Sequence, residues 1–185
     1  MLQGKLIRLR PVEERDIDHY FSWINDPELA RLVIGSIELG ARNRMLKTLE
    51  ESLTIPDINC SFMIETVGGE ELIGFCLLKN IHTIHRSAEL EQFFIGEKKF
   101  RDKGYGQDAL QTLLNYAFGE LNLNRIWLIT YGYNKEAITF YEKEGFVQEG
   151  LLRQIQFTQG KFHDGVIMGI LKKDWFTKNS INNLA

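Results

Sequence analysis

The residues with the clearest chemical potential form a basic, glycine-containing stretch just past the middle of the chain. Gly104 and Gly106 would let the backbone approach a phosphate closely, and the residues after them have the periodicity of a long helix. The first N–H groups of a helix lack partners within it, and the helix dipole adds positive charge there. Positive side chains precede the glycines, at Lys98, Lys99, Arg101 and Lys103. This combination predicts a site for the phosphate groups of a ligand.

The same stretch partly matches motifs of a different kind. The sequence from Gly104 to Ala109 also satisfies the dinucleotide fingerprint G-x-G-x-x-G/A, which would indicate a nicotinamide oxidoreductase. In that fold the glycines follow a strand closely, whereas here the charged residues 96–103 intervene. The chain has no G-x-x-x-x-G-K-[ST] string for a nucleotide triphosphate. A glycine-rich turn with surface lysines would need no ligand, but the spacing Arg101-x-x-Gly104-x-Gly106 before a long helix favours the phosphate site.

Hydrophobic periodicity predicts the elements that must position this stretch. Alternating or continuous apolar residues predict strands at 5–10, 61–66, 72–79, 87–95, 125–131, 147–150 and 166–171. Helical spacing predicts helices at 16–25, 42–53, 107–121 and 135–144. The segment 125–131 is apolar on both faces, which is typical of a central strand covered on each side. The order of elements predicts an α/β (α+β) sheet with helices on both faces.

Length and composition predict one globular domain. The 185 residues are 44% hydrophobic and 25% charged, which is ordinary for a folded domain. We expect the domain to span 1–177 and a polar tail to follow at 178–185. Without a long apolar segment or a secretory signal, and with Cys60 and Cys76 at no metal-binding spacing, we expect a cytoplasmic protein that does not bind membranes. A net charge of −3 argues against nucleic acid as a partner.

Two motifs in the correct order resemble the GNAT superfamily of N-acetyltransferases. The loop at 101–106 is similar to the family's acyl-CoA loop, R/Q-x-x-G-x-G/A. About thirty residues later, 134–146 (NKEAITFYEKEGF) resembles the family's segment N-x-x-A-x-x-x-Y-x-K-x-G-F. The segment 160–168 resembles the closing strands of the branch that acetylates ribosomal-protein N-termini and polyamines. The likeness runs from about Lys5 to Trp175, and it implies a mixed central sheet that splays into a V between the parallel strands 87–95 and 125–131.

The resemblance also implies that acetyl-CoA binds in this V as the cosubstrate. Backbone groups near Phe94 and Ile95 would pair with the pantetheine arm, and an N–H there would polarise the thioester carbonyl. The other cofactor-binding residues implied by the two motifs are Arg101, Asp102, Lys103, Gly104, Tyr105, Gly106, Asn134 and Lys143. Asn134 can also serve as the N-cap of the helix at 135–144, and Lys143 can also be a solvated helix residue.

Attack of an amine on a thioester requires a proton for the leaving thiolate. Tyr141 is the expected donor, because the pKa of a phenol, near 10, is close to that of a thiol, near 8.5. The family motif favours this role. The alternative is a core tyrosine, since Tyr141 shares the inner stripe of a short helix with Ala137 and Ile138.

The amine must also lose a proton, and Glu91 or Glu89 is the expected base, directly or through water. If the alternation of the strand holds back from Ile95, both carboxylates share one face with Phe93. This strand carries one residue more than relatives commonly show, which a β-bulge would absorb. A bulge would break the alternation.

The expected reaction is direct transfer of an acetyl group in a ternary complex, because neither cysteine has an evident activating partner. The acceptor is expected to be a polyamine or a protein N-terminus. The segment 81–89 resembles spermidine acetyltransferases, and the closing strands resemble N-terminal alanine acetyltransferases. A non-catalytic acyl-CoA sensor is the alternative. The histidines His82, His85 and His163 are too scattered to predict a metal site, and a homodimer is compatible with the sequence.

Overall fold

The computed structural model describes residues 1–33, 35, 59–69 and 71–182. The described strands are β1 (Leu2–Gln3), β2 (Ile7–Pro11), β3 (Cys60–Thr66), β4 (Leu72–His82), β5 (Ser87–Ile95), β6 (Arg125–Tyr131), β7 (Val147–Thr158) and β8 (Lys161–Leu171). The described α-helices are α1 (Ile17–Ile24), α2 (Pro27–Val33), α3 (Tyr105–Gly119), α4 (Lys135–Glu144) and α5 (Lys172–Asn182). The helix predicted at 42–53 lies outside the described residues. None of the described helices is long and apolar enough to span a membrane.

The described strands form one sheet in the order β1-β2-β3-β4-β5-β6-β8-β7. All neighbours are antiparallel except β5 and β6, which run parallel. These two strands pair where Ser87–Glu89 meets Arg125–Trp127, although β5 has 9 residues and β6 has 7. The strands therefore diverge beyond these pairs, and the predicted V-shaped opening in a mixed sheet is confirmed.

Helices cover both faces of this sheet. The helix α3 packs on one face through Ala109, Leu110, Leu113, Leu114, Ala117 and Phe118, all fully buried. The helix α1 packs on the other face, in a cluster that includes Phe75 and Phe94. Adjacent residues of β3 show that these are opposite faces, since Ile64 joins the α3 cluster and Met63 the α1 cluster. The predicted two-sided arrangement is confirmed.

The predicted bulge lies in β5 at Glu91. In the β4–β5 ladder Leu77 pairs with Gln92, whereas the next residue, Leu78, pairs with Leu90. Glu91 is therefore the extra residue on β5. As a result, Phe93 lies on the α3 face of the sheet together with Leu90. The unbroken alternation that would place Glu89 and Phe93 on one face does not occur.

The structure adds a helix directly after α1 and lengthens the last two strands relative to the prediction. The turn at 25–27 ends α1 as expected, but it also begins α2, because Asp26 Oδ1 accepts the N–H groups of Glu28 and Leu29 at 2.9 and 3.1 Å. Pro27 suits the first position of a helix. The strands β7 and β8 extend through a long hairpin that the sequence patterns did not predict. Much of this hairpin is exposed, so it lacks the alternation that identifies a half-buried strand.

The C-terminal segment is helical from Lys172 to Asn182, so residues 178–182 of the predicted polar tail continue α5, and 183–185 lie outside the described residues. Trp175 anchors this helix. Its side chain is 1% exposed, and its Nε1 donates to Asn115 Oδ1 on α3 at 3.0 Å.

Candidate active site

A cleft of about 600 Å³ opens where β5 and β6 diverge. Its walls come from these strands, from α2 and α4, and from the loop that leads into α3. The lining includes ten residues predicted from the sequence: Glu91, Phe94, Ile95, Arg101, Asp102, Gly104, Gly106, Asn134, Tyr141 and Lys143. Glu89, Lys103 and Tyr105, which were also predicted, are not among the lining residues. A separate hollow of about 610 Å³ lies between α4, β7 and β8.

The start of α3 forms one end of the cleft. Gly104 precedes the helix with φ of 86°, a left-handed conformation that favours glycine. Asp102 is also left-handed, with φ of 57°. No side chain of the described residues caps the helix, so the N–H groups of its first turn are available to an anion. A Cβ added at Gly106 would lie 3.6 Å from its nearest neighbour, Cγ1 of Ile95, so the start of α3 lies beside the end of β5.

Three cations of the loop have hydrogen-bond or ion-pair partners within the protein. Arg101 donates to the carbonyl oxygens of Ile95 and Gly96, at 2.9 and 3.0 Å, and so ties the loop to the end of β5. Lys98 pairs with Asp26 and Glu28 at 3.3 Å, and Lys99 pairs with Glu71. These three cations thus have partners within the protein, and their role at the phosphate site stays a prediction. Lys103 is exposed.

A carboxylate that the sequence did not single out fixes α3 against the N-terminal strands. Asp108, in the first turn of α3, accepts the backbone N–H groups of Lys5, Leu6 and Ile7 at 3.1, 2.7 and 3.1 Å. The position of this acid in the first turn of a helix also suits the helix dipole. The direction of the phosphate-facing helix end is therefore set by contacts with the start of the chain.

Tyr141 lies in the wall of the cleft and is 8% exposed. Its ring contacts those of Phe140 and Phe146, with centroids 5.3 and 5.4 Å away. Burial raises the pKa of Tyr141 well above the usual value of a phenol, so the close match to a thiol expected from the sequence is not maintained. The hydroxyl has no hydrogen-bond partner among the described residues, which contain no fully buried side-chain N or O atom without one. The oxygen is therefore not fully buried, and Tyr141 belongs to the cleft lining.

The helix α4 that carries Tyr141 is fixed at both ends. Asn134 is its N-cap: Oδ1 accepts the N–H of Ala137 at 3.2 Å, and Nδ2 donates to the carbonyl oxygen of Leu32 at 3.4 Å. At the other end Glu144, 2% exposed, accepts from Nε2 of Gln107 and of Gln111 at 2.8 and 3.0 Å. Glu144 was missed from the sequence. The two glutamines four residues apart on one face of α3 were the available signal.

The predicted bases lie on the bulged strand, each with a partner from β4. Glu91 Oε1 accepts from Nζ of Lys79 at 2.8 Å. Glu89 Oε2 accepts from Nδ2 of Asn80 at 3.1 Å. Burial raises the pKa of Glu89, and the charge of Glu91 acts in the same direction, while the bond from Asn80 opposes them. Of these two carboxylates, Glu91 belongs to the cleft lining and Glu89 does not. Lys79 and Asn80 were not predicted, because their role depends on the register of β4 against the bulge.

The histidines lie in different places. His82 and His85 stack at the β4–β5 hairpin, with ring centroids 4.1 Å apart, whereas His163 contacts Tyr133. Among the described residues no three His, Cys, Asp or Glu side chains form a group suited to a metal ion.

Comparison with known proteins agrees with this geometry. A family model described as an acetyltransferase (GNAT) domain matches residues 7–147. The spermidine N(1)-acetyltransferase of Escherichia coli K12 is 27% identical over 94% of this chain and 90% of its own length. YdaF of Bacillus subtilis, which carries the name of a ribosomal N-acetyltransferase, is 34% identical over 56% of each chain.

The fold also matches a solved structure along almost its whole length. The crystal structure of spermidine N-acetyltransferase from Vibrio cholerae, in complex with CoA and spermine, aligns with a TM-score of 0.83 at 26% identity. The alignment covers 94% of this chain and 99% of that one. The resemblance predicted from the two sequence motifs is confirmed.

Proposed function

The chain belongs to the GNAT acetyltransferase family and takes its acetyl group from acetyl-CoA, and on this premise we propose that it acetylates a polyamine or a protein N-terminus by direct attack in a ternary complex. The proposal rests on one observation above all. The open N-terminus of α3 and the residue Tyr141 belong to the lining of the same cleft, at the point where β5 and β6 separate. Phosphate-binding and proton-donating groups therefore flank a single space.

The donor end of the cleft fits the phosphates of acetyl-CoA. The N–H groups of the first turn of α3 point out of an uncapped helix, and the left-handed Gly104 allows the chain to turn there without a Cβ. Phe94 and Ile95, at the end of the diverging β5, offer backbone groups to the pantetheine arm. These residues would hold the donor mainly by backbone hydrogen bonds, since Arg101, Lys98 and Lys99 have other partners. Lys143 adds a cation to the cleft lining.

The positions of the cysteines support direct transfer over an acyl-enzyme. Cys76 is fully buried, and burial raises the pKa of its thiol, which suppresses the nucleophilic thiolate. Cys60 is half-buried on β3. Neither residue is among those that line the cleft.

Proton transfer is assigned to two side chains of the cleft. Glu91 takes a proton from the acceptor ammonium, directly or through water, and the free amine attacks the thioester carbon. As the C–N bond forms and the C–S bond breaks, the leaving thiolate takes the proton of the Tyr141 hydroxyl. The raised pKa of Tyr141 keeps the hydroxyl protonated at neutral pH. The second proton of the attacking nitrogen passes to solvent, which returns a proton to Tyr141.

The charge of the cleft supports a cationic acceptor. Four carboxylates belong to its lining, those of Glu91, Asp102, Glu136 and Glu144, against the two cations Arg101 and Lys143. A polyamine carries several ammonium groups that such a surface attracts. The relatives named as spermidine N-acetyltransferases support the same acceptor class, while YdaF supports a protein N-terminus.

The test is thiol release from acetyl-CoA in the presence of spermidine, spermine and peptides that begin with alanine. We expect release with at least one of these amines, together with a product heavier by one acetyl group in mass spectrometry. Saturable binding of CoA without release on any amine would instead indicate a sensor.

A further inference from the structure

Four polar side chains of β4 and β5 form a cluster next to the cleft, and the reaction described above uses one of them. Consecutive residues of β4, Lys79 and Asn80, bond to the two carboxylates of β5, Glu91 and Glu89 respectively. The β4–β5 pairing is irregular just before this cluster, between Leu77 and Leu78, and again within it, between Lys79 and His82. Asn80 has a left-handed φ of 54°. The strands thus deviate from regular pairing where these side chains meet.

The Lys79–Glu91 pair is placed to open without cost to the fold. The two side chains are 39% and 35% exposed, and exposed pairs contribute little to stability. The buried network of Arg10, Asp16 and Glu65 is different, since its side chains are 8%, 4% and 6% exposed. A bridge that closes over a cleft-lining carboxylate yet holds little of the structure together suits a reversible contact.

We propose that Lys79 competes with the ammonium group of the acceptor for Glu91, and so sets the affinity and charge preference of the acceptor site. This inference rests on the proposed function. In the protein without acceptor, the lysine ammonium occupies the carboxylate that must accept a proton during the reaction. An incoming ammonium is the same chemical group, and it repels Lys79 while it binds Glu91.

The competition has a direct consequence for affinity. When a ligand must displace an internal contact, its apparent affinity is its intrinsic affinity multiplied by the fraction of protein in which that contact is open. Glu89 differs, because its partner is the neutral amide of Asn80 rather than a cation. It lies next to the cleft but outside its lining, so an acceptor must extend past Glu91 to place a second positive charge there. The cluster therefore favours long acceptors with two or more ammonium groups over acceptors with one.

The test compares Lys79→Met with the unaltered protein and with Arg15→Met. Arg15 forms an ion pair with Glu13, with side chains 71% and 51% exposed, and neither residue lines the cleft. The Arg15 variant therefore matches the loss of one positive charge from an exposed pair. For Lys79→Met we expect KM for spermidine to fall by roughly twofold to fivefold, with kcat within about twofold, given the usual strength of exposed pairs. Arg15→Met should change neither, and Lys79→Arg should retain the competition.

A second readout separates this inference from the proposed function. Calorimetric titration of spermidine in the presence of CoA should show tighter binding to the Lys79→Met variant, and a smaller gain for a monoamine. Turnover with unchanged or raised KM for spermidine, or equal calorimetric affinity, would overturn the role of Lys79. Absence of turnover with every amine in the unaltered protein would count against the proposed function, and the titration would still decide the competition. Lys79→Gln serves in place of the methionine variant if that protein is unstable.

Discussion

The two sides of the cleft are built from different chemical groups. On the donor side the groups that we propose for the phosphates are backbone N–H groups, set by the left-handed Gly104 and by Arg101, whose guanidinium holds the end of β5. On the acceptor side the polar groups are partly exposed side chains, with Lys79 and Glu91 in contact. One side depends on backbone conformation and the other on surface charge.

This difference separates two kinds of change. A substitution on the donor side alters a conformation that few residues adopt, so donor binding and stability should change together. A substitution on the acceptor side alters an exposed ion pair, so acceptor preference should change while the fold remains intact. A GNAT domain can therefore keep its cosubstrate while its acceptor varies.

The largest effect is expected where the two sides meet, at Tyr141. Tyr141→Phe removes the proposed proton donor, and kcat should fall on the order of a hundredfold. Since the hydroxyl has no hydrogen-bond partner among the described residues, the midpoint of thermal unfolding should barely move. Steady-state kinetics with acetyl-CoA should show little change in donor KM. Full kcat in the variant would remove Tyr141 from this role.

Substitutions of Glu144, which is bonded to α3 on the donor side, and of Glu91 on the acceptor side compare the contributions of the two sides to stability. Glu144→Ala leaves the amides of Gln107 and Gln111 without their shared acceptor, and we expect the free energy of unfolding to fall by about 2 kcal/mol. Glu91→Ala should cost less than about 0.5 kcal/mol but should reduce turnover. Urea denaturation measures both. Equal losses of stability in the two variants would contradict the distinction between the two sides.

Gly104→Ala tests the backbone origin of donor binding. A left-handed residue with a Cβ costs about 1–2 kcal/mol, and any shift at this position moves the start of α3, so KM for acetyl-CoA should rise by about tenfold. Gly160 provides the matched control, because it is also left-handed, with φ of 73° and nothing within 4 Å of an added Cβ. Gly160→Ala should lose similar stability without a change in KM. A similar rise in KM for both variants would show that the effect is general destabilisation.

The smallest effect concerns salt. Between about 0.05 M and about 0.3 M NaCl, screening weakens contacts between exposed charges more than hydrogen bonds to backbone N–H groups. KM for spermidine should therefore rise by about threefold, and KM for acetyl-CoA by less than about twofold. Initial rates at several salt concentrations measure both. A steeper salt dependence for acetyl-CoA would indicate instead that the side chains of Lys98, Lys99 and Lys103 bind the phosphates.

The backbone of the site could be predicted from the sequence because its signals are local. The glycine spacing at 104–106, the helical period after it and the extra residue in β5 predicted the helix end and the bulge. The bulge fell at Glu91, and Asn134 caps its helix as expected. Each of these features depends on residues close together in the chain.

The side-chain pairs could not be predicted because they depend on contacts between distant segments. Lys98 counts as a cation near the glycines in the sequence, yet its partner Glu28 is 70 residues away. Glu144 is bonded by Gln107 across 37 residues. The long hairpin of β7 and β8 was missed for another reason, since its exposed residues follow no hydrophobic period.

The most direct test of the proposed reaction is rapid mixing of the protein with acetyl-CoA, first alone and then with spermidine, while free thiol is recorded. Direct transfer predicts no release of CoA before the amine is added, followed by release that matches the acetylated spermidine formed. A burst of thiol equal to the amount of protein before addition of the amine would contradict direct transfer. Continued absence of release after spermidine and alanine-starting peptides have been added would contradict the proposed catalytic function.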